Sequence, residues 1–212
     1  MRINIVGTGN MGRSIAVRAL TGGHAVRLVN PKAGSAQPLA DGLKQRFPDG
    51  EVAYASSVGQ AELTVFALPY DAALEVSKSA RAGLSGQVLV DISNPVDFTT
   101  MDALSTPPGT SAAEQIQENV GTDVPVVKAF NTTFAALLET GEGYGAPLDV
   151  FIAGDSQAAK DSVADFVRSA AMRPLDVGPL RRARELEAMG FLHIAIQQPL
   201  ALNWQSAIKL LS

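Results

Sequence analysis

A chain of 212 residues, 46% apolar and 18% charged, can bury one large core, which excludes a disordered segment. Its formal charge of −4 gives no footing for nucleic acid or an anionic membrane as main partner, and the absence of cysteine excludes disulfides, thiol chemistry and thiolate metal sites. His24 and His193 are the only histidines and lie far apart in sequence, so no metal site is expected.

Residues 3–6 form a short apolar run, too short for a signal segment, and no later stretch approaches about 20 uninterrupted apolar residues. The expectation is a cytoplasmic protein without a membrane partner. Further short runs rich in Val, Ile and Leu predict strands at 25–30, 52–55, 63–67, 88–92, 126–130, 150–153 and 175–177. Helix-period segments between them predict helices near 11–22, 36–47, 71–82, 112–120, 132–140, 157–171 and 180–196, the last continuing or restarting past Pro199. Strands without polar alternation are covered on both faces, so the alternation predicts an α/β fold with a doubly wound parallel sheet. The glycine-rich stretch 141–147 is the clearest punctuation and predicts a dinucleotide-binding domain at 1–145 and a small C-terminal α/β extension at 146–212.

Between the first predicted strand and helix stands Gly7-Thr8-Gly9-Asn10-Met11-Gly12. Glycine in this pattern permits the tight turn (Gly7), lets a pyrophosphate meet bare backbone (Gly9) and allows the helix to pack close to the sheet (Gly12). The helix start offers unpaired N–H groups and a positive dipole end, so the motif predicts a Rossmann-type dinucleotide site. An NAD site places Asp or Glu at the end of the second strand to hold the ribose 2′-hydroxyl. Here that strand runs into Asn30-Pro31-Lys32, and no acidic residue occurs before Asp41. A carboxylate would repel a 2′-phosphate, whereas Asn30, Lys32 and Ser35, helped by Thr8, can bind one. NADP is therefore the expected cofactor.

Ligands on such sheets lie beyond the carboxyl ends of the strands. The segments there are Ala67-Leu68-Pro69-Tyr70, Ser93-Asn94-Pro95 and Ala129-Phe130-Asn131-Thr132. Leu68, Pro69, Pro95 and Ala129 shape the wall, while Asn94 and Asn131 can both donate and accept, as a nicotinamide carboxamide requires. Turn and cap chemistry is the plainer explanation of each asparagine taken singly. Hydride transfer needs stacking and exclusion of water rather than a metal, and the reduced acceptor can take its proton from water, so no catalytic residue is assigned. Lys128 is expected in the core or an ion pair, Tyr70 and Asp71 on the rim, and His193 as a satisfied buried or interface histidine. Arg181, Arg182 and Arg184 are expected to be answered by Glu185, Glu187 or a partner subunit, with an anionic tail of the second substrate as the alternative. The apolar stretch 188–196, with Leu200, Leu202, Trp204, Leu210 and Leu211, is expected to form a dimer face or an intrachain core.

The glycine loop, Leu68-Pro69, the run from Asp91 to Pro95, Lys128-Ala-Phe-Asn131-Thr132 and the tail from Asp176 through Val-Gly-Pro-Leu to Glu187 together resemble the coenzyme F420-dependent NADP oxidoreductase family over essentially the whole chain. They also resemble the cytosolic reductase domain of membrane ferric reductases. The resemblance implies a homodimer that binds NADPH beside F420 or a flavin, with a small molecule as its other partner. It further implies Ser-Arg-Arg or similar after the second strand, where this chain has Asn30-Pro31-Lys32 with a single charge, so weaker grip on the 2′-phosphate is expected. The alternatives are a non-catalytic NADP-sensing module and a short imine or hydroxy-acid dehydrogenase. The latter class usually needs a long helical domain, for which the strands predicted after residue 125 leave no room.

Overall fold

The computed structural model describes residues 1–211. In chain order the elements are β1 (Arg2–Val6), α1 (Asn10–Thr21), β2 (Ala25–Val29), α2 (Ala33–Arg46), β3 (Val52–Ala55), β4 (Leu63–Phe66), α3 (Tyr70–Ser79), the single turn α4 (Arg81–Leu84) and β5 (Val88–Asp91). There follow α5 (Ala112–Val120), β6 (Val126–Lys128), α6 (Ala135–Thr140), β7 (Glu142–Gly143), β8 (Ala146–Pro147), β9 (Asp149–Gly154), α7 (Gln157–Ser169), β10 (Arg173–Gly178), a 3-10 turn (Leu180–Arg182) and α8 (Ala183–Ala195).

Eight strands form one sheet in the order β10-β9-β6-β5-β4-β1-β2-β3. The six from β3 to β6 are parallel and follow the doubly wound order 3-2-1-4-5-6. The strand β9 runs antiparallel to β6, and β10 is parallel to β9. Side chains alternate across the sheet. Ile3 and Ile5 join α1, α2 and α7 in one apolar layer, whereas Val6, Phe66 and Leu89 join α3, α4 and α5 in the other. The first layer also takes in Val150 and Ile152 of β9, so residues 1–145 and the described part of 146–212 share a core.

Several boundaries depart from the sequence pattern. The strand expected at 126–130 stops at Lys128 because Phe130 adopts φ +62°, a left-handed conformation that takes the chain out of the sheet. Stretch 141–147, read as punctuation, contains the β7–β8 hairpin. The helix expected near 180–196, continuing or restarting past Pro199, ends at Ala195, and the tail returns through turns and irregular chain. Among the described residues no helix is long and apolar enough to cross a membrane.

Candidate functional site

The glycine loop lies at the carboxyl end of β1, between its neighbours β2 and β4, where the strand order reverses. Gly7 has φ +108°, donates its N–H to the Val29 carbonyl at 3.1 Å, and lies so near Ala67 that a side chain would overlap the Ala67 carbonyl oxygen. A side chain at Gly12 would overlap the Gly7 carbonyl, so α1 can approach the loop only with glycine there. Gly9 is different. It is exposed, and nothing lies within 4 Å of where its Cβ would stand. The first turn Asn10-Met11-Gly12-Arg13 holds no acid, and among the described residues no side chain caps the helix start. The free N–H groups of α1 and the open face at Gly9 leave room and donors for an anionic group there.

At the end of β2, Asn30 is largely committed within the loop. Its Nδ2 donates to Thr8 Oγ1 at 3.2 Å and its Oδ1 accepts the Lys32 backbone N–H at 3.0 Å, a turn of the Asx type. Lys32 and Ser35 are exposed. They stand at the start of α2, whose first turn is also without an acid. Beside them opens a cleft of about 330 Å³ lined by Val6, Val29 and Pro31 on one side and Ser56, Ser57, Val58, Val76 and Ala80 on the other. The sequence reading missed this second wall. Its signal was the Ser56-Ser57 pair directly after β3, which parallel pairing sets next to the end of β2. Two larger clefts, of about 690 and 550 Å³, lie at the opposite ends of the strands around Arg2, Ala25 and Glu51, away from the glycine loop.

Leu68 is partly buried and Pro69 opens α3, so both border the rim beside Gly7. Tyr70 is turned toward α5, donating its hydroxyl to Gln115 Oε1 at 3.1 Å, and burial raises its pKa above the usual phenol range. Asn94 and Asn131 meet, but mostly each other. Asn94 Nδ2 donates to the Asn131 carbonyl at 2.7 Å, and Asn131 Nδ2 donates to Asn94 Oδ1 at 2.9 Å and to the Leu186 carbonyl at 2.8 Å. Two rim atoms are buried without a partner among the described residues, Asn131 Oδ1 and Ser93 Oγ.

Behind the rim lies a buried ionic group. Lys128 Nζ contacts Asp91 Oδ2 at 2.7 Å, Glu187 Oε1 at 2.8 Å and the Ser93 carbonyl at 2.5 Å. Burial pulls the Lys128 pKa down, but the two carboxylates outweigh it and hold the ammonium charged; burial raises Glu187 above the usual carboxylate range despite that partner. Glu187 also accepts the N–H groups of Ala112 and Ala113 at the start of α5, at 3.0 and 3.4 Å. Glu187 thus does not answer the arginine run. Arg182 pairs with Glu185 at 3.1 Å and Arg184 with Glu114 at 2.7 Å. His193 is buried against Phe134, its Nδ1 3.2 Å from the Thr132 carbonyl and its Nε2 2.7 Å from Ser206 Oγ, and burial lowers its pKa. It pins the tail as a neutral, satisfied histidine. No group of three or more metal-ligating side chains occurs among the described residues.

Residues 2–95 match the family described as NADP oxidoreductase, coenzyme F420-dependent. Metalloreductase STEAP3 of Rattus norvegicus is 30% identical over 190 residues, which cover 89% of this chain and 36% of that protein, so the chain spans about a third of this curated relative. A crystal structure from Arthrobacter sp. FB24, provisionally designated an F420-dependent NADP-reductase, superposes with a TM-score of 0.80 at 29% identity and 94% coverage of both chains. The NADP-bound pyrroline carboxylate reductase of Plasmodium falciparum shares the fold, with a TM-score of 0.61 at 16% identity over 96% of this chain and 64% of that one. The glycine loop and the doubly wound sheet agree with these matches: over residues 2–95 the chain is similar to the coenzyme F420-dependent NADP oxidoreductase family.

Proposed function

We propose that the chain binds NADPH along the rim from Lys32 to Asn131 and passes hydride to F420 or a flavin. The observation that carries this reading is the start of α1: an uncapped, acid-free helix end behind an exposed Gly9 with open space beyond it. Asn10, Met11 and Gly12 would hold the diphosphate through backbone N–H groups. Lys32 and Ser35, with the start of α2, would take the 2′-phosphate, and the cleft between Pro31 and Val58 would take the adenine. Leu68, Pro69, Asn94, Pro95, Ala129 and Asn131 would border the nicotinamide. The dinucleotide supplies the hydride, and the protein's part is to bind, orient and exclude water.

F420 is supported as acceptor by the family's description and the Arthrobacter likeness; the name of the rat relative, a metalloreductase, brings in a ferric chelate as a further acceptor to test. Anaerobic oxidation of NADPH with F420, FMN and a ferric chelate in turn discriminates among them. Turnover with F420 or FMN supports the proposal. Tight NADPH binding without turnover on any acceptor replaces it with a sensing module. A homodimer belongs to the same reading, because Phe98, Leu192, Leu200 and Trp204 leave much apolar surface exposed. Sedimentation velocity showing only monomer would remove it.

A further inference from the structure

Lys128, Asp91 and Glu187 come from β6, β5 and α8, and all three side chains are essentially inaccessible to water. An ionic group so placed costs desolvation and is not a cheap source of stability. Its geometry is specific. The three contacts of the ammonium fasten two strand ends and the tail helix at one point, and one of them grips the main chain at Ser93 itself. Asp91 Oδ1 holds the same residue from the other side, accepting the Ser93 N–H at 3.0 Å. One turn of α8 beyond Glu187, Gly190 packs so tightly on the asparagine pair that a Cβ would stand 2.5 Å from Asn94 Oδ1 and 3.0 Å from Asn131 Nδ2. The adjacent strand ends thus carry a Ser93 backbone fixed at both its N–H and its carbonyl, and an Asn131 fixed through its Nδ2. The polar atoms left over, Ser93 Oγ and Asn131 Oδ1, are buried and unpartnered among the described residues. Buried polar atoms without partners are uncommon, and each calls for a ligand or a cost.

We propose that Lys128, Asp91 and Glu187 form a clasp that presents Ser93 and Asn131 to the carboxamide of the nicotinamide, so that the seating of α8 sets the position of the reactive ring. The inference rests on the NADPH reading above and adds Ser93 as a contact residue and Lys128 as a positioning residue. An amide group needs one acceptor and one donor, and Asn131 Oδ1 with the Ser93 hydroxyl supplies both.

The test compares two ligands by equilibrium titration of the full chain: NADPH, read by nicotinamide fluorescence, and 2′,5′-ADP, which carries no nicotinamide. Ser93→Ala should weaken NADPH roughly three- to tenfold, the loss of one hydrogen bond, and leave 2′,5′-ADP unchanged. Lys128→Met should produce the same split. It should also add a pH dependence of NADPH fluorescence, because the buried Glu187 carboxylate, already raised by desolvation, then loses the cation that favours its charged form. The other groups facing it are Asp91, the N–H groups of Ala112 and Ala113 at the start of α5 and Tyr70 on α3. Lys128→Met combined with Glu187→Gln should abolish that pH dependence. Equal effects of Ser93→Ala on both ligands, or none on either, overturn the proposal even if Lys128→Met fails to fold. Failure of the unaltered chain to bind 2′,5′-ADP overturns the NADPH reading itself, and the clasp's role with it.

Discussion

Two glycines three positions apart in one motif have opposite reasons to be glycine. Gly12 faces protein, so Gly12→Ala should cost about 1–3 kcal/mol or more through overlap with the Gly7 carbonyl, measured by denaturant midpoint. Gly9 faces open space with an ordinary φ of −75°, so Gly9→Val should abolish NADPH binding while the thermal midpoint barely moves. Retained binding would exclude the proposed diphosphate position. Lys32→Glu should cut the preference for NADPH over NADH by roughly tenfold at low salt and by less at higher ionic strength, since the side chain is exposed. Equal loss of both nucleotides would remove Lys32 from the 2′-phosphate. The packing role of Gly12 was legible in the sequence because it depends on Gly7, a near neighbour in the same motif. The partners of Lys128 lie 37 and 59 positions away, and only the sheet order brings them together. The same holds for Ser56 and Ser57, whose place opposite Pro31 follows from parallel pairing of β2 and β3.

At the level of elements, α5 shows how local chemistry sets a boundary. Ser111 Oγ accepts the Glu114 N–H at 3.2 Å and donates to Glu114 Oε2 at 2.7 Å, a capping pair that opens the helix at Ala112. Ser111→Ala should lower stability by about 1 kcal/mol, read from the shift in urea midpoint; an unchanged midpoint would show the cap to be replaceable. Strands buried on both faces were legible from their Val, Ile and Leu runs, and their helices from apolar periodicity. At Phe130 the chain turns under tertiary constraint, the ring buried against Phe166 of α7 despite its left-handed backbone. Periodicity carries no record of such a turn.

Across the whole molecule, the tail past α8 is fastened to the sheet by Asp149. Its buried carboxylate accepts Arg173 Nε at 2.7 Å, Lys209 Nζ at 3.1 Å and the Leu210 N–H at 2.8 Å. Burial pushes the Asp149 pKa up, but these donors outweigh it and bring it down to about 2. A depressed folded-state pKa stabilises above the unfolded value, so this contribution is complete at neutral pH and is lost as pH falls from 3.8 toward about 2. Asp149→Asn should therefore lower stability at pH 7 and flatten its decline on acidification, followed by circular dichroism; an unaltered acid limb would show that other carboxylates govern it. The reversal of direction between β6 and β9 has a practical consequence. Gly154, at the end of β9, pairs with Val127 in the middle of β6, so the turn into α7 leaves the sheet four strands across from β1, which carries the glycine loop. Because the natural sequence lacks cysteine, Ala158→Cys would offer one thiol at an exposed position there, where a dye could be attached to immobilise or track the enzyme without crowding its nucleotide.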